Sequence, residues 1–228
     1  MRSLLTFVVA FLISLPAAAA NPVYHLELEA TPEAAFPYLG RFGKVDLHVY
    51  AGGVRGEALW LHGFSTNGAS AVTVANPLAR MYVDVQTSEI PSILANLAGD
   101  KAGKERKAKP PRLGPAMKGK VRGIDATRYR LIYGTKGYVD IWTTDVIPPN
   151  AQFRALVNKV VSGIAPGTAA TVSKLPGTPV YVELNFRSYQ KVAILRLKKL
   201  SFTADDEKDA LTLGPVYVRA SILEKLFQ

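Results

Sequence analysis

The sequence predicts a mainly antiparallel β protein with helices packed against one apolar face of its sheet, an α+β fold. Three observations carry this. Apolar and polar residues alternate with period two over short stretches divided by Gly, Asn and Pro, the pattern of half-buried strands linked as hairpins. Two other stretches repeat apolar residues every three and four positions, the pattern of amphipathic helices. The 228-residue chain is 48% hydrophobic and 20% charged, enough for one sizeable core and too apolar for wholesale disorder.

The elements follow in order. Val23–Glu29 reads as a short strand, and Thr31-Pro32-Glu33 as a helix start that ends by Pro37 or Gly40. Val45, Leu47 and Val49 alternate with Asp46, His48 and Tyr50, and Gly52-Gly53 supplies a two-residue turn into a strand from Val54 to Leu61. Centring the turn there pairs Val49 with Gly56, Leu47 with Ala58 and Val45 with Trp60, and sets His48 opposite Glu57. A second pair, Ala71–Ala75 and Arg80–Val85, turns at Asn76-Pro77. Ser88 opens a helix with an Ile90, Ile93, Leu94, Leu97 stripe, ending at Gly99; Pro91 is tolerated in its first turn.

The sheet resumes near Lys120. Thr127–Tyr133 and Tyr138–Thr144 form a hairpin around 134–137, expected to pair Tyr129 with Trp142 and Leu131 with Asp140. After Pro148-Pro149-Asn150 a helix carries Phe153, Leu156, Val157, Val160, Val161 and Ile164. Pro179–Arg187 and Val192–Ser201 form a third hairpin, with Val182 facing Leu197 and Glu183 facing Arg196. Leu211–Leu213 reads as a short strand or extended piece, and Ser221-Ile222-Leu223-Glu224 as a capping box opening a last helix. The sum is nine or ten strands and three main helices.

The N-terminus reads as an address. Arg2, the apolar run Leu4–Leu15, Pro16 and Ala18-Ala19-Ala20 form a secretory signal, with cleavage expected after Ala20. The apolar run as a helix spans roughly 18 Å, short of the roughly 30 Å hydrocarbon layer. Residues 21–228 are then a single exported domain, expected in the periplasm or secreted.

Charge concentrates in one segment. Residues 99–122 hold nine basic groups, Lys101, Lys104, Arg106, Lys107, Lys109, Arg112, Lys118, Lys120 and Arg122, against Asp100 and Glu105, out of a whole-chain net charge of +10. With Pro110, Pro111 and Pro115 and with Gly99, Gly103 and Gly114 besides, the segment is expected to be an exposed loop. Either it is a solvated linker or it docks on an anionic membrane surface. The secretory address and the lack of interleaved aromatics argue against nucleic acid.

The chain has no cysteine, which excludes disulfides, thiol catalysis, cysteine-bound zinc and iron–sulfur clusters. His25, His48 and His62 fall on separate strand regions without the spacing of a zinc protease. His48, Glu57 and Asp46 read as a charged surface cluster. Ser65 lacks the flanking glycines of a nucleophile elbow, and Asp205, Asp206, Glu207 and Asp209 lack the calcium-loop pattern. The expectation is a protein without enzymatic activity, metal or cofactor, and monomeric.

Gly119–Tyr129 (GKVRGIDATRY), Tyr138–Asp145 (YVDIWTTD), Leu175–Val182 (LPGTPVYV) and the ending LGPVYVRASILEKLF resemble a bacterial exported family of unknown function. That family is similar to the periplasmic outer-membrane lipoprotein carriers. The resemblance implies a curved sheet, an unclosed half-barrel wrapped around helices, with an apolar groove and no catalytic residues. The basic insertion is longer than the resemblance needs, and there is no lipobox cysteine. Groove candidates are Val45, Leu47, Ala58, Trp60, Met81, Val83, Tyr129, Leu131 and Trp142. Two readings compete: a carrier or binder of a lipid, lipoprotein or other apolar ligand, and an envelope interaction protein with a closed core that uses the basic loop or a sheet edge.

Overall fold

The structure, a computed structural model, describes residues 24–31, 44–98, 109–187, 189–202 and 207–221. Six strands come first: β1 (His25–Ala30), β2 (Val45–Tyr50), β3 (Gly53–Ala58), β4 (Leu61–Thr66), β5 (Ala71–Asn76) and β6 (Met81–Gln86). Then follow α1 (Ile90–Ala98), β7 (Arg112–Leu113), β8 (Met117–Val121), β9 (Ile124–Ile132) and β10 (Gly137–Thr144). Helices α2 (Ala151–Ile164) and α3 (Pro166–Val172) precede β11 (Thr178–Phe186), β12 (Tyr189–Ser201), α4 (Glu207–Ala210) and β13 (Val218–Arg219).

Among the described residues all thirteen strands belong to one sheet, in the order β13-β6-β5-β4-β3-β2-β1-β12-β11-β10-β9-β7, with β8 also on β9. Every pairing is antiparallel except the two-residue contact of β13 with β6. The end strands do not meet, so the fold is α+β with a large antiparallel sheet that is not closed into a barrel. Strand β1 joins the two halves by lying between β2 and β12, which places Leu26 and Leu28 at 0% and 1% exposure.

Helix α2 is fixed to the sheet by its first turn. The Asn150 side chain accepts from the Phe153 N–H, capping the helix, and its amide donates to Tyr50 O at 2.8 Å. Gln152 donates to Ser65 Oγ at 2.7 Å. The apolar stripe then packs Phe153, Leu156 and Val157 on Leu26, Leu28, Val49 and Val54. A second cluster joins Leu131, Val139, Ile141, Leu175 and Leu184, and a third joins Leu61 and Ala220 with Met81, Val83 and Val74. The cavity between α2, α3 and the sheet, lined by Ile141, Val157, Val172 and Leu175, measures about 30 Å³. That is room for a water or two and none for an acyl chain.

Three expected registers change. The first hairpin turns at Ala51-Gly52, so His48 pairs with Arg55, Leu47 with Gly56 and Val45 with Ala58. Side chains on Asn67 and Asn150 hold Ala51 O, and the Asn67 N–H holds Gly52 O. Gly53 belongs to the strand, because a Cβ there would lie 2.5 Å from Ser65 O. The shift is two residues, so each side chain keeps its face. The chain turns again at Leu59-Trp60, where Leu59 has φ 55°, and β4 follows as a strand that the sequence does not announce. The third hairpin carries two bulges, which place Arg196 opposite Tyr181 and Glu183 opposite Ala193.

The β9–β10 hairpin shifts by one residue. Tyr133 N–H bonds Gly137 O across a three-residue loop, pairing Tyr129 with Ile141 and Arg128 with Trp142. An odd shift reverses faces, so Trp142 stands on the side opposite Tyr129 and Leu131. The expected loop 99–122 is also corrected in part. Residues 112–113 and 117–121 pair with β9, while 99–108 lie outside the described residues. The expected helices after Thr31 and Ser221 also fall outside them. Residues 211–213 are not a strand; Leu211 is buried against Gly53 instead.

Candidate functional site

Cross-strand pairing draws one row of side chains over eight strands: Arg128, Trp142, Tyr181, Arg196, Glu29, Asp46, Glu57 and His62. Residues directly opposite in a sheet share a face. This is the face away from α2 and α3, which pack on Leu26, Leu28, Val49 and Val54 and, around the small cavity, beside Ile141, Thr143 and Pro179. Its two ends differ in charge balance.

At the β1–β4 end the charges pair off. Lys44 reaches Glu29 at 3.1 Å and Asp46 at 3.0 Å, and Lys198 reaches Glu29 at 3.0 Å. These lysines hold the Glu29 carboxyl below its usual range. Arg55 donates to Glu57 at 2.7 Å and to Ala210 O, and meets His62 Nδ1 at 2.9 Å. His25 and His48 share a ring hydrogen bond of 2.9 Å and stack with Tyr50. The three histidines therefore gather on one face of adjacent strands. Among the described residues no group of three His, Cys, Asp or Glu side chains is placed to hold a metal.

At the β8–β12 end the charges do not balance. Strand β8 passes Trp142 so closely that a Cβ on Gly119 would lie 2.8 Å from the indole. Beside the β8–β9 turn lies a cleft of about 470 Å³ lined by Lys120, Arg122, Arg128 and Arg196, by Asp140 and Glu183, and by Trp142, Tyr181, Val121 and Leu197. Four cations thus face two carboxylates. Asp140, 5% exposed, is already held by Arg130 through two hydrogen bonds of 2.7 Å, which raise the guanidinium's pKa further. Glu183 accepts from the Tyr181 hydroxyl at 2.9 Å; burial first, then this carboxylate, pushes the phenol upward.

Arg128 is only partly satisfied. Its Nη1 is 3.8 Å from Asp140, its Nη2 donates to the Met117 sulfur, and its guanidinium carbon lies 6.0 Å from the Trp142 centroid. Its Nε is buried without a hydrogen-bond partner. An unpaired buried donor costs about 1–3 kcal/mol. The arrangement offers cationic donors around an indole, suited to an acidic group on an apolar body.

The nine groove candidates do not line one groove. Leu131, fully buried, and Tyr129 belong to the second cluster, Met81 and Val83 to the third, and Leu47 and Trp142 pack on the first. Val45 and Ala58 pair with each other, half-buried, and Trp60 is 41% exposed at a turn. Trp142 alone of them lines the cleft. Of the basic candidates, Lys101, Lys104, Arg106 and Lys107 lie outside the described residues. Lys109, Arg112, Lys118, Lys120 and Arg122 are exposed, and the last two line the cleft. Sequence reasoning misses Arg128, Tyr181 and Arg196; only the correct hairpin registers set them beside Trp142.

No family model and no curated protein matches the chain. Among solved structures it is similar to an uncharacterized conserved protein from Thermus thermophilus, at 9% identity and a TM-score of 0.44, over 93% of this chain and 99% of that one.

Proposed function

We propose that this is an exported, non-enzymatic protein that binds an apolar or amphiphilic ligand, such as a lipid or the acyl part of a lipoprotein, in a cleft of its open sheet. The supporting observation is the Trp142 cleft, with an indole and a buried, unpartnered Arg128 Nε in about 470 Å³. The excess of cations favours a ligand bearing a phosphate or carboxylate. Export rests on the Arg2, Leu4–Leu15 and Ala18–Ala20 pattern, with the periplasm as its compartment.

The competing reading, an envelope interaction protein with a closed core, draws on the filled space beneath α2 and α3. Mass spectrometry of gently purified protein separates the two. An acidic amphiphile should co-purify with the wild type and be lost from Trp142→Ala and Arg128→Gln. Protein purified without any such molecule, and unable to take up added anionic lipid, would leave the interaction reading in place.

A further inference from the structure

A second cleft opens on the other side of the β8–β9 turn. It measures about 470 Å³ and is lined by Arg122, Lys198 and Lys199, by Asp125, and by Val146, Leu200 and Phe202 among others. It shares Arg122 and Leu197 with the Trp142 cleft, so the turn stands between the two. Arg122, at φ 49°, and Gly123, at φ 84°, form its tip.

Two features mark this surface. Val146 and Phe202 are 49% and 52% exposed although both are apolar, and they line the same cleft. Three cations stand around them against the single carboxylate of Asp125, which already meets Lys120 at 3.3 Å. Arg122 makes no ion pair among the described residues. Lys198 and Lys199 pair with Glu29 and Glu27, but their side chains are 46% and 61% exposed, and ion pairs that wet are readily exchanged. Lys118 and Lys120 extend the basic surface along β8.

We infer that this surface docks the protein on an anionic phospholipid bilayer, with Phe202 and Val146 entering the interface and Arg122, Lys198 and Lys199 meeting lipid phosphates. A bilayer supplies both halves of the complement, phosphates in a plane and acyl chains just beneath them. Docking there would set the shared wall of the Trp142 cleft beside the membrane. The inference stands apart from the ligand reading, since none of its contacts is Trp142 or Arg128.

Vesicle co-sedimentation tests it, using phosphatidylglycerol vesicles against phosphatidylcholine vesicles. The protein should sediment with the anionic vesicles and remain in solution with the neutral ones. Phe202→Ser with Val146→Ser should lower the bound fraction roughly tenfold, the loss expected from two half-buried apolar side chains. Arg122→Gln should lower it less, and raised salt should remove the difference between wild type and Arg122→Gln.

A Phe202→Trp reporter keeps an aromatic ring in place and serves if the serine pair disturbs folding. Its added fluorescence should be quenched by vesicles with brominated acyl chains. Equal sedimentation of wild type and serine pair, or sedimentation without quenching, would overturn the proposal and move binding to basic residues elsewhere, such as Lys101–Lys109. Equal binding to neutral vesicles would overturn it as well.

Discussion

The two sides of the sheet are covered in different ways, and the coverings decide where space remains. On one side α2 and α3 press their apolar stripes into the strands, leaving a cavity of about 30 Å³. On the other, a two-stranded hairpin crosses Trp142 at a glycine and leaves clefts of about 470 Å³ on both sides of its tip. The helices form a second layer packed on the strands, whereas β8 and β9 are strands of the sheet itself, joined to it along β10. Among the described residues, the roomier clefts lie beside the β8–β9 turn.

Truncation on the helix side should have the largest effect. Leu131→Ala removes a side chain of 0% exposure from the second cluster and should cost about 2–5 kcal/mol in denaturant unfolding, without changing lipid content in the folded protein. Trp142→Ala should show the reverse balance, losing bound amphiphile with a smaller stability cost. Equal destabilisation by the two would mean that Trp142 is core, and the contrast between the sides would fail.

Gly119→Ala comes next. Its methyl would meet the Trp142 ring at 2.8 Å, so the hairpin must lift or the indole must turn. Overpacking of this kind costs about 1–3 kcal/mol. Indole emission should change in Gly119→Ala, and the change should vanish in a Trp142→Phe background. No change in either would place the hairpin away from Trp142.

Much of the strand inventory is legible in the alternation itself, and the faces of β2 and β3 are too, because the turn at Ala51-Gly52 differs from the expected one by an even shift. The loop at 134–136 defeats the same reasoning. Its flanking glycines permit several loop lengths, and a slip of one residue moves Trp142 from the apolar row to the charged one. Gly63, lacking a side chain, hides β4, and the bulges in β11–β12 hide the pairing of Arg196 with Tyr181. Local pattern sets which residues alternate. Contacts distant in sequence, such as Asn150 on the β2–β3 turn, set the register.

Asp140→Asn sharpens the charge contrast. It keeps the shape but removes the charge held by Arg130 and approached by Arg128. Both arginine side chains are partly exposed, at 31% and 23%, so the loss should be about 1–2 kcal/mol, less than for a fully buried pair. The freed guanidiniums should tighten binding of an anionic amphiphile, measured by titration against Trp fluorescence. Weaker binding would assign Asp140 to ligand contact rather than to charge balance.

The smallest effect belongs to the balanced end of the charged row. Burial, and then the neighbouring His25, lower the His48 pKa below 6.5, against the opposing pull of Glu57 and Glu27 and with a further push down from Arg55. A histidine depressed in the folded state binds its proton more readily when unfolded. Its contribution is therefore present above pH 6.5 and is lost as pH falls from there through the folded-state value. The 2.9 Å contact of His25 Nε2 with His48 Nδ1 gives the same sign, because two protonated rings would turn donor against donor. His62, lowered by burial beside Arg55, adds to it. The melting temperature should thus drop between about pH 7.5 and about pH 5.5, a range that brackets an ordinary histidine. His48→Gln should flatten that drop, while Trp142→Ala should leave it unaltered. A pH slope unchanged in His48→Gln would show that the cluster at this end of the sheet contributes nothing measurable, and that the two ends differ in charge count alone.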